Sequence, residues 1–342
     1  CWDEVPPEVG AFDPENRLIL ATGPLQGTLA PTSGRFVVVG KSPQSTPVES
    51  LTRSGVGGHF APELKWAGYD AIVIRGKASQ PVYLWIDDDK VVLKDARHLW
   101  GKTTWETEEL IRKELSDRDI KTLCIGPAGE NLVKYASPIP NDEAVPAETG
   151  MGCVMGSKNL KAIVVKGTKE IPMADPKAMK ERGLADLKAV GAMDKKAKWS
   201  VQGTNAVLSW CNEMAALPVR NMRHSQHPLA ARLDGQRTSE ARVATYGCPN
   251  CTMRCGIAIL DKENVPHVVL TPTDTPDGVV MTWKDAEKCA RLFADQHDAR
   301  ARRPFAGHDL RRMLVERAAR ATRLGGTQRL QRRDRWRLGH GD

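Results

Sequence analysis

A chain of 342 residues that is 41% hydrophobic and 27% charged has room for more than one packed core and the balance of a globular protein. It holds no run of about 18 apolar residues, which excludes a membrane-spanning helix. The net charge of +8 points to nucleic acid only until it is located: residues 299–342 hold 13 arginines, no lysine and four acids, a net of +9, so the other 298 carry −1. An arginine tail without aromatics at stacking spacing or a nucleic-acid motif does not predict a nucleic-acid-binding protein.

Up to about Thr168 the chain reads as short strands between glycine turns. The runs Arg17–Ala21, Phe36–Val39, Ala71–Arg75, Val82–Ile86, Val91–Lys94, Thr122–Ile125 and Ala162–Lys166 predict strands. Asp87-Asp88-Asp89 predicts the turn of a hairpin over Val82–Lys94. One helix is predicted among them, over Thr104–Leu115, with Thr103 and Glu106 as a capping box and Leu110, Ile111 and Leu115 on its inward face. Asp175 and Pro176 then read as an N-cap and first helical residue, with Met179, Leu184 and Leu187 as an apolar stripe. Helical or irregular chain is expected from there, and Trp283–Phe293 predicts a last amphipathic helix. The fold class is therefore α+β: a β-rich domain over residues 1–168, the start of a helical domain over 169–297, and an arginine-rich tail over 298–342.

Three of the eight cysteines stand together as Cys248-Pro-Asn-Cys251-Thr-Met-Arg-Cys255. In a chain of this size, clustered thiols indicate a metal role in a reducing cytoplasm more than a disulfide framework. An iron–sulfur cubane takes four thiolates and a structural zinc takes four ligands, and no fourth cysteine follows in the run. Three readings stand open: an iron–sulfur site, zinc completed by a histidine such as His267, or simple buried thiols. Cys289 sits at an apolar helix position, and Cys153 is expected to pack beneath its glycine turn. His59 and His98, each alone in its stretch of sequence, read as satisfied surface or core groups and not as ligands.

Four segments are rich in glycine: Gly34-Arg35, Gly55-Val56-Gly57-Gly58, Gly126–Asn131 and Gly150–Lys158. Glycine lets backbone amides approach an anion with no Cβ in the way, and a glycine turn that opens a helix can hold a phosphate. The Gly150 segment fits that picture, with Lys158 as a point charge. It is neither a Walker A loop nor a Rossmann fingerprint. Tight β-turns explain any one of these segments, but the four together, with Arg35 beside one, indicate a large phosphorylated cofactor.

The runs Pro14–Leu20, Gly23-Pro24-Leu25, Ala30-Pro31-Thr32, Gly34-Arg35, Glu63–Asp70, Ile125–Asn131 and Met155–Ala162 are collinear, and together they resemble the aldehyde:ferredoxin oxidoreductase family. The resemblance is dense over residues 1–168 and thinner over the cysteine run and Trp283–His297. It implies a tungsten or molybdenum ion held by two pyranopterins, with Mg2+ at their phosphates and a [4Fe–4S] cluster nearby. It assigns Arg35, Gly57 and Gly58 to the pterin phosphates, Gly150, Gly152 and Asp295 to further pterin contacts, and Cys248, Cys251 and Cys255 to the cluster. The activity it implies is oxidation of a small aldehyde to a carboxylic acid with ferredoxin as electron acceptor, in a protein that pairs with a second copy of itself. A sister tungsten enzyme reducing aromatic acyl-CoA thioesters is the alternative, and a metal-free or zinc-binding fragment a third reading.

Two departures set further expectations. Residues 143–148 read Glu-Ala-Val-Pro-Ala-Glu where the family has basic residues, and the Asp295-Gln296-His297-Asp298-Ala299 run begins an Asp-x-x-Gly-Leu motif that it does not finish. Together with the lysine-free tail and the absent initiator Met, this leads to the expectation that the chain is part of a longer one and that the tail is out of frame. Finding no family-like continuation in the other two reading frames of its DNA would sink that expectation.

Overall fold

The computed structural model describes residues 4–260 and 266–268, apart from residues 46, 142–148, 221–222, 233 and 241. It divides into two compact units, Cys1–Lys196 with Gly247–Met253, and Ala197–Tyr246 with the chain from Arg254 onward. The predicted helix over Trp283–Phe293, Cys289, Asp295 and the arginine tail lie outside the described residues, as does the 143–148 segment.

The first unit opens with strands β1 (Leu18–Ala21), β2 (Phe36–Ser42) and β3 (Ser50–Val56), then helix α1 (Phe60–Trp66) and strand β4 (Ala71–Ile74). These strands form one antiparallel sheet in the order β3-β2-β1-β4. Leu18 and Leu20 alternate with half-buried neighbours, as do Phe36 and Val38, and all four enter the core. Strand β3 was not foreseen: Ser50-Leu-Thr-Arg-Ser-Gly-Val carries little apolar pattern, and its pairing with β2 along all seven residues forms it.

A second sheet follows. Strands β5 (Val82–Asp87) and β6 (Lys90–Asp95) form the expected hairpin, and helix α2 (Thr104–Glu114) starts on the expected capping box of Thr103 and Glu106. Strand β7 (Lys121–Cys124), helix α3 (Pro127–Glu130), strand β8 (Ile139–Pro140), helix α4 (Met151–Ser157) and strand β9 (Leu160–Lys166) complete it, in the order β6-β5-β9-β7-β8. Strand β9 is central and buried on both faces. Its Ile163 and Val165 face a core shared with the first sheet, α1 and α4, while Ala162 and Val164 face a second core with Tyr83, Leu99 and Ile111. That double burial is why it reads as an unbroken apolar run.

Helix α5 (Pro176–Gly191) has the expected cap, the Asp175 carboxylate accepting from Ala178 N at 2.9 Å. Its expected apolar stripe is not buried. Leu184 is 53% exposed, Met179 and Leu187 are half-buried, and the buried position is Gly183, where a Cβ would stand 2.7 Å from the Leu29 carbonyl oxygen. The helix approaches through its missing side chain, which a search for apolar periodicity cannot see.

Helix α6 (Asp194–Gln202) carries the chain across residue 196 into the second unit, which holds α7 (Leu208–Glu213), α8 (Gly235–Glu240) and strands β10 (Arg242–Tyr246), β11 (Gly256–Leu260) and β12 (Pro266–Val268). A small core gathers Leu208, Leu217, Val219 and Ala230. The expectation of helical or irregular chain up to the cysteines needs correction: the run is the connection between two strands of an antiparallel sheet, β10-β11-β12. The α+β class stands, and the second unit contributes strands of its own to it.

Candidate metal and cofactor site

The connection between β10 and β11 packs, as Gly247–Met253, within the first unit. Its start is a tight turn in which Cys251 N donates to the Cys248 carbonyl at 3.1 Å. Three hydrogen bonds fasten it. Gly58 N donates to Cys248 Sγ at 3.2 Å, Asn250 Nδ2 donates to the Thr28 carbonyl at 2.6 Å, and Thr32 N donates to the Asn250 carbonyl at 3.2 Å. Gly34 gives way to it, since a Cβ there would lie 3.1 Å from Cys248 Cβ. Gly58 takes a φ of +89°, a backbone state that a side chain would strain, and this state aims its amide at the sulfur.

Arg35 stands just before β2, where the register with β3 sets Phe36 opposite Val56 and Val37 opposite Gly55. Its side chain is exposed and makes no hydrogen bond or ion pair with another described residue. A Cβ on Gly55 would come within 3.2 Å of its guanidinium, so the glycine keeps that space open. One end of the first sheet thus brings together Arg35, buried Gly57 and Gly58, and Cys248, which lie more than 200 residues apart in sequence at their extremes.

Gly150 and Gly152 lie elsewhere. Ser42, the last residue of β2, donates its hydroxyl to the Thr149 carbonyl at 2.8 Å, so this turn sits at the other end of the strand from Arg35. Seven residues of strand separate the two by about 20 Å, too far for one phosphate to touch both. Packing accounts for both glycines. Gly150 has a φ of +67° and faces the Lys134 carbonyl, Gly152 N donates to the Ala136 carbonyl at 2.8 Å, and a Cβ on Gly152 would stand 2.7 Å from that carbonyl. The expected point charge is withdrawn too. Lys158 is 3% exposed, and its ammonium donates to the Pro14 and Gly76 carbonyls at 3.0 and 3.1 Å. Burial, reinforced by the Arg17 charge, lowers its pKa to about 8. Cys153 packs beneath the turn as expected, its thiol donating to the Gly150 carbonyl at 2.8 Å with a pKa pushed up to about 12 by burial.

The Glu63–Asp70 run that carries part of the family resemblance holds the scaffold. Trp66 Nε1 donates to the Gly27 carbonyl at 3.1 Å, and Lys65 pairs with Asp70. The Glu63 carboxylate accepts from Gly167 N at 3.0 Å, and burial raises its pKa.

Cys255 belongs to the second unit, at the entrance of β11, and is exposed. Among the described residues no group of three or more His, Cys, Asp or Glu side chains is gathered to hold a metal ion. The chemistry of the loop nevertheless suits a sulfur-rich group. None of the three cysteines of the run is in a disulfide, and Thr252, next to Cys251, keeps a buried hydroxyl oxygen with no hydrogen-bond partner among the described residues. A buried hydroxyl next to a cysteine suits an acceptor that the described residues do not supply. Asn250, Thr28 and Thr32 were not foreseen as site residues. The available signal was an asparagine inside the cysteine spacing, a residue type that tolerates positive φ.

The family model described as aldehyde ferredoxin oxidoreductase, N-terminal domain, matches residues 1–167, and the one described as domains 2 & 3 of the same enzyme matches residues 185–283. The chain belongs to the aldehyde ferredoxin oxidoreductase family. This family member is 42% identical over 263 residues to the tungsten-containing aldehyde ferredoxin oxidoreductase of Pyrococcus furiosus, covering 74% of the chain and 42% of the relative. It is 40% identical over 263 residues to the enzyme of the same description from Thermococcus kodakarensis, with the same coverage. The WOR-like subunit of an aliphatic sulfonate oxidoreductase from Pyrococcus furiosus is 32% identical over 269 residues, covering 73% and 41%. The chain therefore spans about two-fifths of the length of the curated relatives it matches. Among solved structures, the active-site complex of benzoyl coenzyme A reductase with 1,5-dienoyl-CoA superposes with a TM-score of 0.61 at 31% identity, covering 86% of this chain and 50% of that one.

Proposed function

We propose that the chain forms part of a tungsten bis-pyranopterin oxidoreductase that oxidises a small aldehyde to a carboxylic acid and delivers the electrons, through a [4Fe–4S] cluster, to ferredoxin in the cytoplasm. The observation that carries this reading is the meeting, at one end of the first sheet, of a guanidinium that pairs with no other described residue, a buried glycine pair and a cysteine loop. Arg35 would bind a pterin phosphate, with Mg2+ as counter-ion between phosphates. Gly55, Gly57 and Gly58 keep side chains off that approach. Cys248, Cys251 and Cys255 would supply thiolates, and the Thr252 hydroxyl a further donor. Gly150, Gly152 and Asp295 belong to the same cofactor by family resemblance alone. When bound, the tungsten centre supplies two-electron oxidation and the cluster releases those electrons one at a time. Among the described residues no helix is long and apolar enough to cross a membrane.

A second reading, reduction of an aromatic acyl-CoA thioester on the same base, is supported by the likeness to benzoyl coenzyme A reductase. The test begins with metal analysis of the protein purified without oxygen. Tungsten with four irons per chain supports the proposal, and zinc alone overturns it. Aldehyde-dependent reduction of a viologen dye, set against dye-dependent reduction of benzoyl-CoA, then separates the two chemistries, and size-exclusion chromatography reads whether the protein pairs with a second copy.

A further inference from the structure

We propose that Asn250 is a positioning residue: it latches the cysteine run onto the N-terminal sheet and so holds the Cys248 sulfur against the Gly58 amide before any metal arrives. The consequence for the cluster rests on the iron–sulfur reading above, whereas the latch itself does not. A Cys-x2-Cys run needs two spacer residues of no particular kind, yet the second spacer here bonds in both senses. Its side-chain amide donates to the Thr28 carbonyl at 2.6 Å, and its own carbonyl accepts from Thr32 N at 3.2 Å.

The receiving segment is firm. Thr28 Oγ1 donates to the Leu25 carbonyl at 2.6 Å and accepts from Ala30 N at 3.2 Å, and Ser33 Oγ donates to the Ala30 carbonyl at 2.9 Å. Thr32 and Asn250 both take left-handed backbone, with φ of +59° and +52°. That state is uncommon for a β-branched residue and persists only where its surroundings impose it. Here the Thr32 amide donates to the Asn250 carbonyl, a bond that joins the two residues. With Asn250 fixed, Pro249 rests on Gly34, and Cys248, two residues back, meets the Gly58 N–H at 3.2 Å. A hydrogen bond to a cluster sulfur stabilises the added electron, so a loop seated this way raises the reduction potential of a cluster bound there.

Two variants of the full chain separate the latch from the turn. Asn250→Asp keeps side-chain size and tolerance of positive φ but sets a carboxylate oxygen against the Thr28 carbonyl, and Asn250→Gly keeps the turn and removes the side chain. In the metal-free protein, amide exchange at Thr32 and Gly58 should quicken about tenfold in both variants, the worth of one hydrogen bond. Exchange at Glu106, in the distant cap of α2, should not change. After reconstitution with iron and sulfide, the midpoint potential of the cluster should fall below that of the wild type. Unchanged exchange at Thr32 and Gly58 would overturn the latch, and quickened exchange with an unchanged potential would overturn its consequence for the cluster. A wild-type protein that protects both amides yet takes up only zinc would overturn the iron–sulfur reading and leave the latch standing. If the Asp variant does not fold, the Gly variant alone reads the latch.

Discussion

The ammonium of Lys158 is enclosed by the Pro14 and Gly76 carbonyls, where it ties β9's entrance to the turns before β1 and after β4, which meet at one end of the first sheet. Its pKa of about 8 lies below the ordinary 10.5 because burial disfavours the charged form. Below pH 8 the lysine is charged in both folded and unfolded chains, and the folded state bears the cost of the buried charge. Between about pH 8 and 10.5 the unfolded chain binds more protons, so this lysine's contribution to stability rises with pH. Urea denaturation should show the wild type gaining on Lys158→Met across that window, at up to about 1.4 kcal/mol per pH unit. A parallel pH profile for the two proteins would mean that the ammonium is solvated. Thiols give a second residue-scale test. Cys255 is exposed, whereas Cys153 is buried with its pKa pushed up to about 12. Iodoacetamide at pH 8 should therefore label Cys255 within minutes in the metal-free protein and leave Cys153 intact until the chain is unfolded, as peptide mass spectrometry would read.

At the scale of elements, helices α3 and α4 and strand β9 are held by one buried ion pair and a row of close backbone approaches. Lys161 on β9 is fully buried, pairs with Glu130 at the end of α3 and donates to the Lys102 carbonyl at 2.8 Å, while Gly101 N donates to the other Glu130 oxygen at 2.7 Å. Lys161→Met leaves the Glu130 carboxylate buried without its cation and should cost about 3–5 kcal/mol. Lys161→Met with Glu130→Met should recover a large part of that loss in thermal unfolding, because no uncompensated charge remains. Gly156 of α4 faces the Gly129 carbonyl so closely that Gly156→Ala must push the helices apart, at about 1–3 kcal/mol. These contacts explain what the sequence let one read. Strands with alternating or continuous apolar residues, the capping box of α2 and the cap of α5 were legible because their signals are local. Strand β3 and the β10-β11-β12 sheet were not, since their residues are set by partners in the sheet and not by their own pattern. In the site, residue type marked Arg35, Gly57, Gly58 and the cysteines. That Gly150 and Gly152 sit at the other end of β2, and that Asn250 fastens the loop, depend on contacts between segments far apart in sequence.

The whole molecule is electrically divided, and this bears on which partners it can have. Residues 299–342 carry +9 and the other 298 carry −1, so attraction to polyanions belongs to the tail alone. Some of the described charges of the body pair at its surface, as in Lys94–Glu114, Lys166–Asp117 and Lys169–Asp89, and a body of net charge −1 offers a duplex no overall attraction. A chain ending at Asp298 should pass through a cation exchanger at pH 7 that retains the full chain, and it should lose DNA retention in 50 mM salt as well. Retention of the full chain should itself fall steeply as salt rises, because phosphate contacts made by arginines displace condensed counter-ions. If the shortened chain still bound DNA with the same salt dependence, the charge would have to come from the folded body, and Arg35 would be the first residue to replace. Should Arg35→Ala then abolish the binding, the exposed guanidinium beside Gly55 would still be a phosphate site, but one that takes a nucleic-acid backbone as readily as a pterin. Loss of retention with the tail, and unchanged retention in Arg35→Ala of the full chain, would instead leave that guanidinium free for a single small phosphate.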